Sequence, residues 1–231
     1  MSLDHDRLLG PELGFTPSKT PPRQPIDGAH VRLEPIDPAR HVADLFALSK
    51  DDDSIWTYLS YGPFREPKAM QAWLETCAAS KDPLFFAVID KASGRASGML
   101  SFMRMTEAMG VIEIGNIWFA PVLQKTRQAT EAIFLSMREI FEHWGYRRLE
   151  WKCNDRNAPS RAAAARFGFA FEGILRQHMV IRGRNRDTAW FGMTDGEWPA
   201  IGAAFRAWLD AKNFDAAGRQ KTALAARQAR P

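Results

Sequence analysis

The chain has few cysteines, little net charge and no long apolar run. Its two cysteines, Cys77 and Cys153, stand far apart and show no metal-ligand spacing. No cluster of His, Cys, Asp and Glu has that spacing either, so no metal is expected. A reducing, cytoplasmic setting is the expectation for such cysteine usage. No segment approaches the roughly 20 consecutive apolar residues of a membrane span. The start, MSLDHDRLLG, has no charged region ahead of an apolar stretch, so no signal peptide and no membrane partner are expected. The formal net charge is +4 over 231 residues. Residues 210–231 hold five cations against two anions, which leaves the body nearly neutral. That balance argues against a dedicated nucleic-acid binder. Internal repeats are absent.

What the chain does hold is apolar mass and one informative segment. A hydrophobic content of 45%, with eight Trp, can fill a sizeable core. From Ile112 to Phe141 the sequence reads as strand, loop and long helix. The strand, Ile112 to Phe119, stops at Pro121, which cannot donate to a ladder. Beyond the loop, Ile133, Phe134, Met137, Ile140, Phe141 and Trp144 recur at helical spacing on one face, so one helix is expected to run to Trp144. The loop, Gln124-Lys125-Thr126-Arg127-Gln128-Ala129, opens that helix. A helix start presents free N–H groups and the positive end of the macrodipole, which suits phosphate. Lys125 and Arg127 add charge, so the expected ligand is a multiply charged phosphate compound.

The remaining elements follow from punctuation and period. Residues 1–29 form an arm rich in Pro and Gly, which either wraps the body through Leu8, Leu13 and Phe15 or has no order. Val31 to Ile36 alternates as a strand. Asp37 caps a helix that Pro38 starts. Residues 55–66 form an aromatic loop or short helix, and Pro67 starts another helix. Leu84–Asp90 and Ala96–Met105 read as a hairpin. After Gly145 comes the strand Arg148–Cys153, then a short helix over Pro159–Phe167. Phe169–Ile181 and Thr188–Thr194 follow as strands joined by an Arg-rich turn. The last helix begins near Glu197. Residues 215–231 read as a basic tail, helical or frayed. One α/β domain over residues 30–214 is favoured over two.

Three motifs then carry a resemblance. They are Gln124-x-x-Arg127-x-Ala129 with Thr130 and Glu131; RLEWKC with Asn157-Ala158-Pro159-Ser160; and Arg166-Phe167-Gly168-Phe169 with Phe171-Glu172-Gly173. In this order they resemble the GNAT superfamily of acyl-CoA N-acyltransferases, in its ribosomal-protein N-terminal acetyltransferase branch, over about residues 30–195. The resemblance implies an α/β (α+β) fold with a mixed, mostly antiparallel sheet, splayed between the strands at 112–119 and 148–153 and flanked by helices. It implies acetyl-CoA as cofactor, held by Ile117, Trp118, Phe119, Gln124, Lys125, Thr126, Arg127, Gln128, Ala129, Thr130, Asn157 and Ser160. The family usually has Gly where Arg127 stands; a charge-assisted contact from the guanidinium to phosphate is the favoured explanation.

Amine acetylation needs a base or water chain, because a primary amine is mostly ammonium at neutral pH. Glu113, on the strand sixteen residues before Ala129, is the first candidate. In the histone-acetyltransferase branch a catalytic glutamate sits at that spacing. Ser160 is the candidate acid for the leaving thiolate, and Asn157 for the pantetheine arm; either also suits a helix cap. The ribosomal-protein branch carries a glutamate at the position of Met179, so that carboxylate is missing. His178 is a second candidate base on the acceptor side. Trp56, Tyr58, Tyr61 and Phe64 fall in the segment that lines the family's acceptor groove. The implied reaction is transfer of acetyl to a primary amine on a protein N-terminus, an amino acid or a small metabolite. The competing readings are detoxification of an amine-bearing antibiotic and a catalytically idle CoA-binding or protein-binding module. A homodimer is left open.

Overall fold

Alternating apolar residues build one eight-stranded sheet in the computed structural model, which describes Gly10 and residues 12–227. In chain order the elements are β1 (Ile26–Asp27), β2 (Val31–Pro35), α1 (Pro38–Ser49), α2 (Pro67–Ala79), β3 (Leu84–Asp90), β4 (Arg95–Thr106) and β5 (Val111–Phe119). Then come α3 (Arg127–Arg138), β6 (Arg148–Asn154), α4 (Ala158–Arg166), β7 (Ala170–Ile181), β8 (Arg184–Thr194) and α5 (Trp198–Leu209). The strand order is β1-β2-β3-β4-β5-β6-β8-β7. Every neighbouring pair is antiparallel except β5 and β6.

Helices cover both faces, as the alternation requires. On one side Ile133, Met137 and Ile140 join Phe205 and Ile201 of α5 in the larger core. On the other, Leu45 of α1 and Met70 and Leu74 of α2 pack with Trp56, Phe85 and Trp118. Asp37 caps α1 by accepting from the Ala39 N–H, with Pro38 at the first helical position. The expected helix to Trp144 divides: α3 stops at Arg138 and a π-helical turn covers Glu139–His143.

Glu131 shows how α3 is locked to the sheet. Its buried carboxylate accepts the N–H groups of Ala29, His30 and Val31 at 2.8, 2.6 and 2.8 Å. The turn can come this close because residue 28 is glycine; a Cβ there would stand 2.7 Å from Leu135 and 2.8 Å from the Glu131 carboxyl.

The arm takes the first of its two expected courses, and the tail departs from the sequence reading. The arm wraps the body: the Ser18 and Lys19 N–H groups donate to Glu107 and Trp144 carbonyls, and the arm ends as β1, paired with β2. Phe15 packs at Gly110, Leu13 is exposed, and Leu8 lies outside the described residues. The tail up to residue 227 is not helical. It runs extended, with Leu224 and Ala226 buried in the larger core and Arg227 paired to Glu197 at 2.7 Å.

Candidate active site

The parallel ladder between β5 and β6 covers three rungs and ends at Glu113 opposite Glu150. Beyond it the strands part. The cause lies in β5: a bulge shifts its register against β4, and Asn116 takes a left-handed conformation, with φ 50°. The Asn116 amide donates to Ser101 Oγ at 2.9 Å and holds the bulge. Bulges bend and twist a strand, and here the bend turns β5 away from β6.

A cavity of about 400 Å³ occupies the gap. Ile114, Gly115, Asn116 and Ile117 form one wall; Trp151, Cys153, Asn154, Asn157 and Ser160 form the other. Tyr58, Tyr61, Trp73, His178, Met179 and Arg186 close it from above.

Glu113 sits at the apex, 3% exposed. Its Oε2 pairs with Arg104 at 2.6 Å and with Lys152 at 3.0 Å. Oε1 has no hydrogen-bond partner among the described residues. The Lys152 side chain is 6% exposed; its ammonium also meets Glu150 at 2.7 Å and lies 3.7 Å from the centre of the Trp190 ring. Arg148 completes the chain by pairing with Glu150 and Glu172. The Glu150 carboxyl is held below its usual range: burial opposes this, and the bonds from Lys152 and Arg148 outweigh it.

Ser160 Oγ accepts from the Trp151 indole N–H at 3.0 Å, and its hydroxyl also meets the Cys153 thiol. Asn157 caps α4 through Oδ1, at 3.1 Å from the Ser160 nitrogen, so its amide N–H₂ is free for a ligand. His178, the second candidate base, stands in a bulge of β7, where Gln177 has φ 52°, and its Nδ1 lies 3.0 Å from Thr188 Oγ1. Met179 lines the cavity, so a thioether occupies the position at which the ribosomal-protein branch carries a carboxylate.

The loop between β5 and α3 keeps only part of its expected role. Thr126 caps α3: its Oγ1 takes the Ala129 N–H at 3.1 Å, and its carbonyl takes the Thr130 N–H at 3.3 Å. Those two amides are therefore consumed. The N–H groups of Lys125, Thr126, Arg127 and Gln128 have no acceptor among the described residues. Lys125 has φ 59°, so left-handed backbone falls there and not at Arg127. Successive amides in such a turn form an anion-binding concavity. Gln124 supports the loop by donating to the Phe119 carbonyl at 2.8 Å.

The Arg127 side chain turns away from the loop, contrary to the favoured contact with phosphate. It donates to the Leu209 carbonyl and stacks 4.2 Å from the Phe214 ring centre. The C-terminal carbonyls of α5 are the negative end of a helix dipole, and they take this charge.

The aromatic group also divides. Tyr58 and Tyr61 line the cavity, and Tyr61 stacks on Trp73 at 4.3 Å. Trp56 is 1% exposed and packs edge-on with Phe64 at 5.3 Å and against Trp118 at 5.1 Å. Trp56 and Trp118 are thus core behind the wall, with Phe64 partly buried against them, and only Ile117 of the residues 117–119 reaches the cavity. Arg104, Lys152 and Cys153 had no role in the sequence reading, and Arg186, expected in the Arg-rich turn, stands on β8. For Lys152 a signal existed: Arg148, Glu150 and Lys152 alternate on one face of β6, a charged stripe on a strand that must be buried.

The family model for the acetyltransferase (GNAT) domain matches residues 30–170. A GCN5-related N-acetyltransferase from Brucella melitensis is 50% identical, with a TM-score of 0.89 over 91% of this chain and 96% of that one. A GNAT-family protein from Chromobacterium violaceum is 49% identical, with a TM-score of 0.78 over 83% and 97%. A protein described as a ribosomal-protein-serine acetyltransferase from Vibrio cholerae shares the fold at 17% identity, with a TM-score of 0.64 over 74% and 97%. Among curated proteins none matches.

Proposed function

The chain belongs to the GNAT acetyltransferase family, and from that premise we propose that it moves acetyl from acetyl-CoA to a primary amine by direct attack. The observation that carries the reading is the early end of the β5–β6 ladder, with a cavity in the gap lined by Asn157, Ser160 and Glu113. The residues present fit the cofactor. Four unpaired amides at Lys125–Gln128 suit a pyrophosphate. The parted edge of β5 and the free Asn157 amide suit a pantetheine arm.

When bound, acetyl-CoA supplies a thioester whose C–S bond breaks as the C–N bond of the product forms. Ser160 is the proposed relay: it would protonate the departing thiolate and regain a proton from the attacking nitrogen, which sheds its second proton after the C–N bond forms. The acceptor arrives as ammonium and must lose a proton first. Glu113 Oε1 is the group proposed to accept a hydrogen bond from that ammonium and take the proton. Arg104 and Lys152 fix the carboxylate through its other oxygen. His178 stands as the alternative proton acceptor on the same wall. Backbone N–H groups near Ile117 are the proposed donors to the thioester carbonyl, in the manner of an oxyanion hole. The acceptor is a protein N-terminus, an amino acid or a small metabolite.

Two measurements test this. Acetyl-CoA should raise the melting temperature, because a ligand of the native state alone stabilises it. Thiol release should then depend on added amine. No thermal shift near a millimolar cofactor would remove acetyl-CoA. A shift without amine-dependent thiol release would leave a binding module.

A further inference from the structure

A second cavity, about 460 Å³, adjoins the first and shares Tyr58, Asn154, Ile181 and Arg186 with it. Its rim is basic: Arg156, Arg182, Arg184 and Arg186 face only Asp155 and Asp187. Both carboxylates are already engaged. Asp155 is paired with Arg161. Asp187 takes the Gln177 N–H at 2.7 Å and the Asn185 amide at 2.9 Å, bonds that hold its carboxyl below the usual range. Arg182 is spent on architecture, donating to the Tyr61 and Gly62 carbonyls at 2.8 and 2.6 Å and so tying the β7–β8 turn to residues 55–66.

Arg186 is different. It stands in the wall common to both cavities and is half-buried. Its Nε is buried without a partner, and it forms no ion pair among the described residues. Burial pushes its guanidinium below the usual range. A guanidinium withdrawn from water with open donors is matched by a carboxylate or phosphate, which it can grip with two parallel bonds. CoA phosphates do not answer this need, since the amides suited to them, at residues 125–128, line neither cavity.

We infer that the acetyl acceptor is a small amine that carries a carboxylate or phosphate on the same molecule, its anion held by Arg186 with Arg156 and Arg184 at the rim, and its ammonium by Glu113. The two holding points line one cavity, which gives two-point recognition of a zwitterion. A neutral peptide N-terminus offers only the amine and leaves the guanidinium unpaired. The inference rests on the acetyltransferase reading.

The test uses the whole chain and matched amines: phosphoethanolamine against ethanolamine, and β-alanine against its amide, with a short neutral peptide as a further acceptor. Calorimetry with acetyl-CoA alone comes first. Its failure removes the acetyltransferase reading and this inference with it; the acceptor assays then separate the two. With cofactor bound, the anionic member of at least one pair should be acetylated in preference to its neutral partner, and the pair that responds tells phosphate from carboxylate. Arg186→Gln should raise the KM for that acceptor by roughly ten- to 150-fold, the loss of a charge-assisted contact, with the acetyl-CoA Kd unchanged. The double variant Arg156→Gln/Arg184→Gln alters only exposed side chains and keeps the fold; it should raise the same KM by a smaller factor and weaken its dependence on salt. Equal use of the neutral members, preference for the peptide, no turnover of any anionic member, or an equal loss of acetyl-CoA affinity in Arg186→Gln would each overturn the inference.

Discussion

Replacing Lys152 by Met should destabilise the protein by about 3 kcal/mol, and the arithmetic comes from the charges around it. Lys152 bridges Glu113 and Glu150, at 3.0 and 2.7 Å, with all three side chains buried or nearly so. Around them stand Arg104, Arg148 and Glu172, so the six groups are neutral together. Methionine fills a similar volume but leaves one uncompensated negative charge at the end of the β5–β6 ladder. Breaking a buried pair costs about 3–5 kcal/mol. The low end applies because Glu113 keeps Arg104 and Glu150 keeps Arg148. The lost contact with Trp190, at 3.7 Å and of order 1 kcal/mol, is included in that figure. Urea unfolding measures the difference, which should appear as a lower midpoint at unchanged slope. In a chain of this size the melting temperature should fall by roughly 6–12 °C. Lys152→Met/Glu150→Gln removes the excess charge and should regain part of the loss. A single-variant cost under about 1 kcal/mol, or no recovery in the double, would refute the claim that Lys152 is there to neutralise the facing carboxylates.

Glu113→Gln should lower turnover by about 10²-fold or more while the acetyl-CoA Kd stays put; unchanged turnover across pH 6 to 9 would transfer the role to His178 or water. Arg127→Ala should cost about 1–2 kcal/mol of stability through its lost contacts to Leu209 and Phe214, with no more than a twofold change in acetyl-CoA Kd, and a tenfold weaker Kd would return its side chain to the phosphate. Cys77, whose thiol burial pushes up to about 12, should resist alkylation in the native protein. Cys153 lines the cavity and should be shielded further by acetyl-CoA, so labelling that ignores the cofactor would speak against its place there. His41 is buried, and desolvation lowers its imidazole below 6.5. Its neutral form therefore contributes stability that is complete above pH 6.5 and is lost as pH falls below that value; a His41→Asn variant with the same stability profile between pH 7.5 and 5.5 would contradict this.

How much of this was legible beforehand depended on range along the chain. Helix starts were readable because caps act over three residues, as at Asp37–Ala39 and Thr126–Ala129. The β3–β4 hairpin and the strand–loop–helix of β5 and α3 were readable for the same reason. The course of the tail was not, and that of the arm stayed open between two alternatives, because docking depends on a few apolar side chains such as Leu224 meeting a distant core. Arg127 shows the limit at the site. Its neighbours in sequence suggested phosphate, whereas its partner is a carbonyl 82 residues away, at Leu209. The aromatic segment divided likewise, since period says which residues share a face but not which of two faces meets the cavity: Tyr58 and Tyr61 reached it, and Trp56 went to the core with Phe64 packed against it.

One rung of the sheet ties stability to the site. In a parallel pair, Glu113 and Glu150 face each other directly, and like charges in that position repel. The rung closes because Lys152, two residues on, folds back between them. Past that point no ladder pair joins β5 to β6 among the described residues, and the Asn116 bulge carries β5 away. The same carboxylate that needs Lys152 to close the ladder is then left with one free oxygen at the apex of the opening. Neutralising the rung and presenting a proton acceptor are therefore two consequences of one arrangement. On this reasoning, a substitution at Lys152 alters the width of the gap and the setting of Glu113 together, and stability and turnover should fall in parallel.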